Sequence, residues 1–332
     1  LALFRSAPHS YRPEPHDIIM AILFLMLAAF SAIWPNTGLF GLGTFQVARG
    51  CLTAPLYLLL SLTCLTLGRL DLRGASPAFR FVRTFYPQAL FGFVFRETIL
   101  LSAPANGGSS HDAVFAKVDH LIFGFQPARE FSAAFRGSAF VNELMFAAYF
   151  SFFIILAVTP WIAWFKGMKE ECRREMALLA VSSLAFSVIW IFFRVMGPKY
   201  WLPDLHASWY SEFHGGPFTA FFKAIFAYTN LSGSAFPSGH VAISVLLCTF
   251  VARSEPRLLP LWMALTCLIC LSTVYIYAHW AADVLGGIIA TAIVLPLFAA
   301  AKRPLYRACS RLGAAGSAFG AMRRLEATTG GK

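Results

Sequence analysis

Apolar residues gather in eight blocks along the chain, at about 18–34, 51–68, 84–101, 140–165, 176–196, 237–252, 258–278 and 281–301. Polar, basic or Gly/Pro-rich stretches separate them. Roughly 17 to 25 apolar residues in a helix cross a bilayer, so each block predicts one crossing. The third is the least regular, because Pro87, Gly92, Arg96 and Glu97 interrupt it. The pattern predicts an all-α fold, a polytopic transmembrane helix bundle of about eight spans. It divides into N-terminal transmembrane helices over 1–80, a membrane domain over 81–301 and a basic cytoplasmic tail over 302–332. The tail is rich in Ala, Gly, Ser and Arg and predicts a poorly ordered end.

Composition agrees with this pattern. Of 332 residues, 58% are hydrophobic and 13% charged, more apolar surface than a soluble domain of this size buries. The formal net charge of +11 then points to loops beside anionic lipid rather than to nucleic acid. Its distribution sets an orientation. With the N-terminus inside, the inner segments hold Arg5 and Arg12, then Arg69, Arg73, Arg80 and Arg83, then Lys166, Lys169, Arg173 and Arg174, then Arg253, Arg257 and the basic tail. The outer segments hold only Arg49, Lys117, Arg129, Arg136, Lys199 and Lys223 in loops of comparable or greater length. The excess of inner positive charge predicts both termini in the cytoplasm, and the compact loops fit a bacterial inner membrane with its outer face toward the periplasm. The run 18–34 follows Arg5 and Arg12 as a signal peptide would; it reads as a retained helix, which keeps this topology consistent. Cys267 and Cys270 have the spacing of a metal knuckle, but they sit inside an apolar run and read as small packing residues.

The stretch from Pro237 to Asp283 carries the chemistry. It opens with Phe236-Pro237-Ser238-Gly239-His240 and closes with His279-Trp280-Ala281-Ala282-Asp283. As helices, 237–253 is roughly 25 Å long and 258–278 roughly 31 Å, so the chain crosses and returns. His240 and His279 then meet at the outer face. Pro237 suits the first turn of a helix, and the amides of Ser238, Gly239 and His240 offer the positive helix end to an anion. His279 and Asp283 are four apart on one helix face, where a carboxylate can accept from one ring nitrogen and leave the other free. A structural His–Asp bond between packed helices, with Gly286 and Gly287 allowing close contact, is the competing reading; the two-crossing geometry favours catalysis.

Two outer loops accompany this stretch. Within 102–139, the segment Asp119-His120-Leu121-Ile122-Phe123-Gly124-Phe125-Gln126-Pro127 predicts a short external element with a turn at Gly124. The loop 197–236 holds Trp201, Trp209, Tyr210, Phe213, Phe218, Phe221, Phe222 and Phe226. Its residues 217–228 predict an interfacial helix, either a lid for a lipid substrate or a plain interface anchor.

Pro-Ser-Gly-His followed after two helices by His-x-x-x-Asp resembles the type 2 phosphatidic acid phosphatase superfamily. The version over 272–287, together with Asp119…Phe123-Gly124…Pro127 and Gly197-Pro198-Lys199-Tyr200, is similar to its inositolphosphotransferase branch, the inositol phosphorylceramide synthase-like enzymes. The resemblance is strong over 197–287 and weaker over 119–196. It implies a six-helix phosphatase-type core and a phosphohistidine mechanism that uses no metal and no cofactor. In that mechanism His279 attacks phosphorus, Asp283 orients it, His240 is acid and then base, and Ser238 and Gly239 help hold the phosphate. Three family features are missing. Thr273 and Tyr277 stand where relatives carry Arg, and the Lys/Arg-Pro first motif is absent. Lys199, then Arg194, are the cations left to bind phosphate; Arg194 equally fits snorkelling to the interface. The sequence thus predicts a lipid-phosphate phosphatase or phosphotransferase with a lipid phosphate or phospholipid as substrate. A catalytically weak or dead relative that binds lipid, and a transporter using His240, His279 and Asp283 as metal ligands, are the alternatives.

Overall fold

The computed structural model describes residues 13–35, 39–42, 45–70, 75–229 and 231–329, with side chains as far as Leu312. Arg5, Arg12 and Arg73 of the charge pattern lie outside the described residues. The chain divides into two compact units. One comprises Leu1–Leu90, Met176–Leu184 and Pro296–Lys332, the other Phe91–Glu175 and Ala185–Leu295.

In the first unit, α1 (Pro15–Ile33) packs along α2 (Arg49–Thr66), with a two-stranded antiparallel hairpin, β1 (Leu39–Leu42) and β2 (Phe45–Ala48), between them in sequence. The hydrophobic pattern gave no sign of this hairpin. The two helices approach closely. The Ser61 hydroxyl donates to the Ala21 carbonyl at 2.8 Å, and a Cβ on Gly50 would fall against the Ser31 carbonyl oxygen. Next comes α3 (Pro77–Ala89), capped by the Ser76 hydroxyl, which accepts from the Phe79 amide. From α3 the Arg83 guanidinium pairs with buried Asp17, and the Tyr86 hydroxyl donates to the same carboxylate at 2.9 Å. Arg83, read from sequence as an exposed inner-loop charge, is therefore consumed inside the unit.

The second unit begins with α4 (Phe91–Ala105). The predicted third span is thus two helices broken at Leu90, between Pro87 and Gly92, the two residues least suited to a continuous helix. The loop 102–139 contains α5 (Asp112–Phe123) and α6 (Pro127–Phe135), and Gly124 turns between them in the left-handed region at φ 77°. Two long apolar helices follow, α7 (Ala139–Phe165) and α8 (Lys169–Phe192), the latter contributing 176–184 to the first unit. The aromatic loop folds as α9 (Pro198–Trp201), α10 (Pro203–Glu212) and α11 (Pro217–Thr229), the last being the predicted interfacial helix. Then α12 (Gly239–Ser254) and α13 (Leu259–Tyr275) form the predicted hairpin, and α14 (Ala281–Thr329) closes the chain. The tail expected to be poorly ordered continues α14 as helix.

Among the described residues six segments are long and apolar enough to cross a membrane: Pro15–Ile33, Arg49–Thr66, Ala139–Phe165, Lys169–Phe192, Pro256–Tyr275 and Ala281–Leu312. The protein is a polytopic helical membrane protein. Of the other two predicted spans, the third is split and α12 has 16 residues, short of a full crossing. Polar pairs knit the helices of the second unit at several depths. Thr98 meets Ser187 at 3.0 Å, Trp262 donates its indole N–H to Thr159 at 2.7 Å, and the Thr291 hydroxyl donates to the Ala242 carbonyl at 2.8 Å. At the end of α12 remote from His240, Arg253 pairs with Glu171, and Lys166 pairs with Glu255 and donates to the Ser254 carbonyl.

Close approach of α14 to the start of α12 depends on glycine. A Cβ on Gly287 would lie 2.8 Å from the Ser238 carbonyl oxygen and 3.2 Å from the Ala242 nitrogen, both backbone atoms that cannot swing away. Gly287→Ala is therefore expected to push the two helices apart and destabilise the protein by about 1–3 kcal/mol. Gly92→Ala, with nothing within 4 Å of its added Cβ, is the matched control. Thermal unfolding of both variants in detergent checks this: a lowered midpoint for the first alone.

Candidate functional site

The turn from α13 into α14 is built almost entirely from backbone hydrogen bonds. After Tyr275 the chain reverses through Tyr277, whose φ of 62° is left-handed and strained for a bulky side chain. The Thr273 carbonyl accepts from both the Ala278 and the His279 amides at 3.0 Å. The Ile276 carbonyl accepts from the Trp209 indole at 2.9 Å, and the Tyr277 carbonyl from the Lys199 amide at 2.9 Å. Gly197, at φ 85°, passes so near this turn that a Cβ would fall on the Ala278 carbonyl oxygen. Only glycine fits there.

Three buried carboxylates then fasten the start of α14. Asp283 accepts from the Trp280 amide at 2.8 Å, one half of a capping box. Asp119, reaching over from α5, accepts from the amides of Ala281 and Ala282 at 2.9 and 2.8 Å. Asp112, at the first residue of α5, accepts from the Met196 and Gly197 amides and from the Trp280 indole, all at 2.8–2.9 Å. Burial raises the Asp119 carboxyl above its ordinary range, and the two amides oppose that shift. Sequence reasoning noticed Asp119 only as part of a motif and missed Asp112 altogether.

His279 is held within this frame. Its Nδ1 lies 2.9 Å from the Ala235 carbonyl oxygen and 3.6 Å from Asp283 Oδ2. A carbonyl can only accept, so the hydrogen-bond network assigns the proton to Nδ1 and leaves a lone pair on Nε2. The expected carboxylate partner is displaced by a backbone carbonyl, because Asp283 spends its near oxygen on the Trp280 amide. His240, in the first turn of α12, packs between the rings of Tyr149 and Phe152 at 4.4 and 4.5 Å. Its ring centroid is 5.9 Å from that of His279, and the rings are roughly perpendicular. Its Nε2 is buried with no hydrogen-bond partner among the described residues. The two-crossing geometry does bring both imidazoles to one place.

The phosphate-binding expectations fare unevenly. Pro237 precedes the helix instead of opening it: Ser238 is the N-cap, its hydroxyl accepting from the Val241 amide at 3.4 Å. The Ser238 amide donates to the Asp283 carbonyl at 3.1 Å and is taken. The amides of Gly239 and His240 remain as first-turn donors, which have no acceptor within a helix. Gly239 is also required by packing, since a Cβ would press on the Trp190 ring at 3.0 Å. Arg194 donates from its guanidinium to the Gly108 carbonyl at 2.8 Å, while its Nε is buried without a hydrogen-bond partner among the described residues. Lys199 is fully buried, and its Nζ makes no hydrogen bond among the described residues. Four rings surround it, Trp209 at 3.8 Å, Phe226 at 4.2 Å, Tyr210 at 4.9 Å and Tyr200 at 5.0 Å. That burial pushes its amine down to about 7. Among the described residues no three His, Cys, Asp or Glu side chains gather as a metal site.

The family model described as the PAP2 superfamily matches residues 115–297, more than half of the chain. No curated protein and no solved structure matches.

Two outcomes follow from the site's geometry. Asp119→Ala leaves two buried amides without an acceptor and is expected to cost about 1–3 kcal/mol of stability, with a comparable loss for Asp112→Ala; denaturation in detergent measures both. Lys199 has a folded value near 7 against an ordinary 10.5. Between those values the unfolded chain holds a proton that the folded chain lacks, so stability rises with pH across that window. Lys199→Met should flatten the rise, as thermal midpoints taken near pH 7 and pH 9 will report.

Proposed function

Since the chain belongs to the PAP2 superfamily, we propose that it is an integral-membrane phosphatase or phosphotransferase acting on a phosphate-bearing lipid through a phosphohistidine. The observation that carries this reading is the pair of imidazoles 5.9 Å apart, one of them held through Nδ1 by the Ala235 carbonyl so that its Nε2 keeps a lone pair.

In the first step His279 Nε2 attacks phosphorus and the bond to the leaving alkoxide breaks. His240, in its protonated form, gives its proton to that oxygen. The Nδ1 proton stays on the hydrogen bond to the Ala235 carbonyl, and the nearby Asp283 carboxylate offsets the positive charge that develops on the ring. In the second step water or an acceptor alcohol attacks, His240 takes its proton, and the N–P bond breaks to restore His279. Hydrolase and transferase differ only in the attacking hydroxyl. The likeness of 272–287 to the inositolphosphotransferase branch supports transfer. First-turn amides of α12 would hold the phosphate oxygens, with Ser238 setting their direction through its cap. The inward bias of positive charge supports a site at the outer membrane face.

A labelled phosphate donor tests the roles. The phosphoprotein should be trapped with wild type, be absent from His279→Ala, and accumulate in His240→Ala, where its breakdown slows by roughly 10²–10⁴-fold. Label that persists in His279→Ala would reject the assignment. Activity unaffected by chelators would separate this chemistry from metal-assisted hydrolysis.

A further inference from the structure

The box around Lys199 is the most unusual feature of the second unit that the two-step chemistry leaves unused. A lysine amine is three donors on a flexible stem, and burying it with no acceptor is costly whether or not it is charged. The side chain is 1% exposed, and the four rings offer it π faces only. No carboxylate is among its partners. The titratable groups facing it are the phenols of Tyr200 from α9 and Tyr210 from α10, both pushed upward by burial. From α11 the box receives only Phe226. His206 lies one ring further out, 5.7 Å from Tyr200. Among the described residues no carboxylate offsets a positive charge there; ring faces are what the box offers a cation, and desolvation lowers the amine despite them.

The box is also coupled to both imidazoles. Its wall Phe226 contacts Tyr149, 6.4 Å between centroids, and Tyr149 stacks on His240. Its lysine hydrogen-bonds by its own amide to the Tyr277 carbonyl, in the turn that carries His279. The other cation the sequence offered to phosphate, Arg194, spends one guanidinium nitrogen on the Gly108 carbonyl.

We propose that the box stores the Lys199 amine uncharged and releases it as an ammonium when a phosphate headgroup enters beside His240 and His279, so that headgroup binding takes up a proton. This rests on the reading of the two histidines as the phosphate site. An anion nearby favours the charged form of the amine; the proton comes from solvent, and the new ammonium leaves the ring faces of the box for a charge-assisted hydrogen bond to phosphate. The box thus makes positive charge conditional on substrate.

Titration calorimetry on the full-length chain in detergent tests this. The probe is a short-chain alkyl phosphonate monoester, which is not cleaved and keeps one fixed negative charge around neutral pH. Binding is measured at pH 8 in buffers of different ionisation enthalpy. A folded value near 7 predicts uptake of roughly 0.9 proton in wild type, and Lys199→Arg, charged throughout, should bind with that uptake removed. Lys199→Met should bind more weakly, also without uptake, and serves where arginine does not fit the box. Wild-type binding with no proton uptake, or uptake undiminished in both variants, overturns the proposal while leaving the histidine site standing. Failure of wild type to bind the probe, or binding unchanged in His279→Ala, overturns the site reading itself and this proposal with it.

Discussion

At the start of α14, buried carboxylates are met chiefly by backbone amides. Asp112, Asp119 and Asp283 are all 0% exposed. A carboxylate taken out of water costs several kcal/mol unless its oxygens accept hydrogen bonds. Between them the three accept from the amides of Met196, Gly197, Trp280, Ala281 and Ala282 and from the Trp280 indole. The helix dipole adds to this, since the α14 terminus is its positive end. Amides and carboxylates have no better partner than each other, so the turn over 276–280 has one position. A helix start that would otherwise fray is tied to α5 and to the segment 195–197.

From that fixed turn the rest of the site follows. With the turn held, the Ala235 carbonyl reaches His279 Nδ1 and sets the ring's tautomer without a carboxylate as direct acceptor. The same device recurs on α7. Glu143 accepts from the Phe218 and Thr219 amides and from the Thr219 hydroxyl, capping α11 from another helix. Its neighbour Asn142 accepts from the Tyr275 hydroxyl at 2.6 Å and donates to the His214 carbonyl at 2.7 Å. One turn of α7 therefore positions both the end of α13 and the aromatic helix whose Phe226 closes the lysine box. Two turns on, the same helix supplies Tyr149 and Phe152 against His240.

What the sequence made legible depended on the range of the interaction. Apolar runs long enough for a bilayer announce themselves, and Pro87 and Gly92 made the third the least regular, though it was read as one span. The hairpin 237–283 was legible too, because its chemistry sits at two helix ends separated by two near-crossings. Asp112 and Asp119 were not. Their partners lie 84–85, 162–163 and 168 positions away and are mostly backbone amides, which have no signature in side-chain pattern. Residues 217–228 of the aromatic loop were read by composition as a lid or a plain interface anchor. That Trp209, Tyr210 and Phe226 converge on Lys199 depends on three short helices folding together. Asp283 does lie beside His279, 3.6 Å from its Nδ1, but His279 precedes α14 and its nearer acceptor is the Ala235 carbonyl, which no spacing announces.

The absence of family arginines has a local cause in the same turn. At position 273 the essential group is a carbonyl, which any residue supplies, holding the Ala278 and His279 amides. At position 277 the side chain is fully buried against Phe213, 5.5 Å between rings, on a backbone with positive φ. A guanidinium there would be desolvated among aromatics with no carboxylate beside it, a cost that Tyr avoids. Aromatic packing thus fills the space around position 277. On the proposed mechanism the incoming negative charge must then be met by first-turn amides of α12 and by a lysine drawn from an uncharged store. Such a site attracts anions weakly when empty and strongly once occupied, which suits a substrate delivered laterally from the membrane better than one captured from solution.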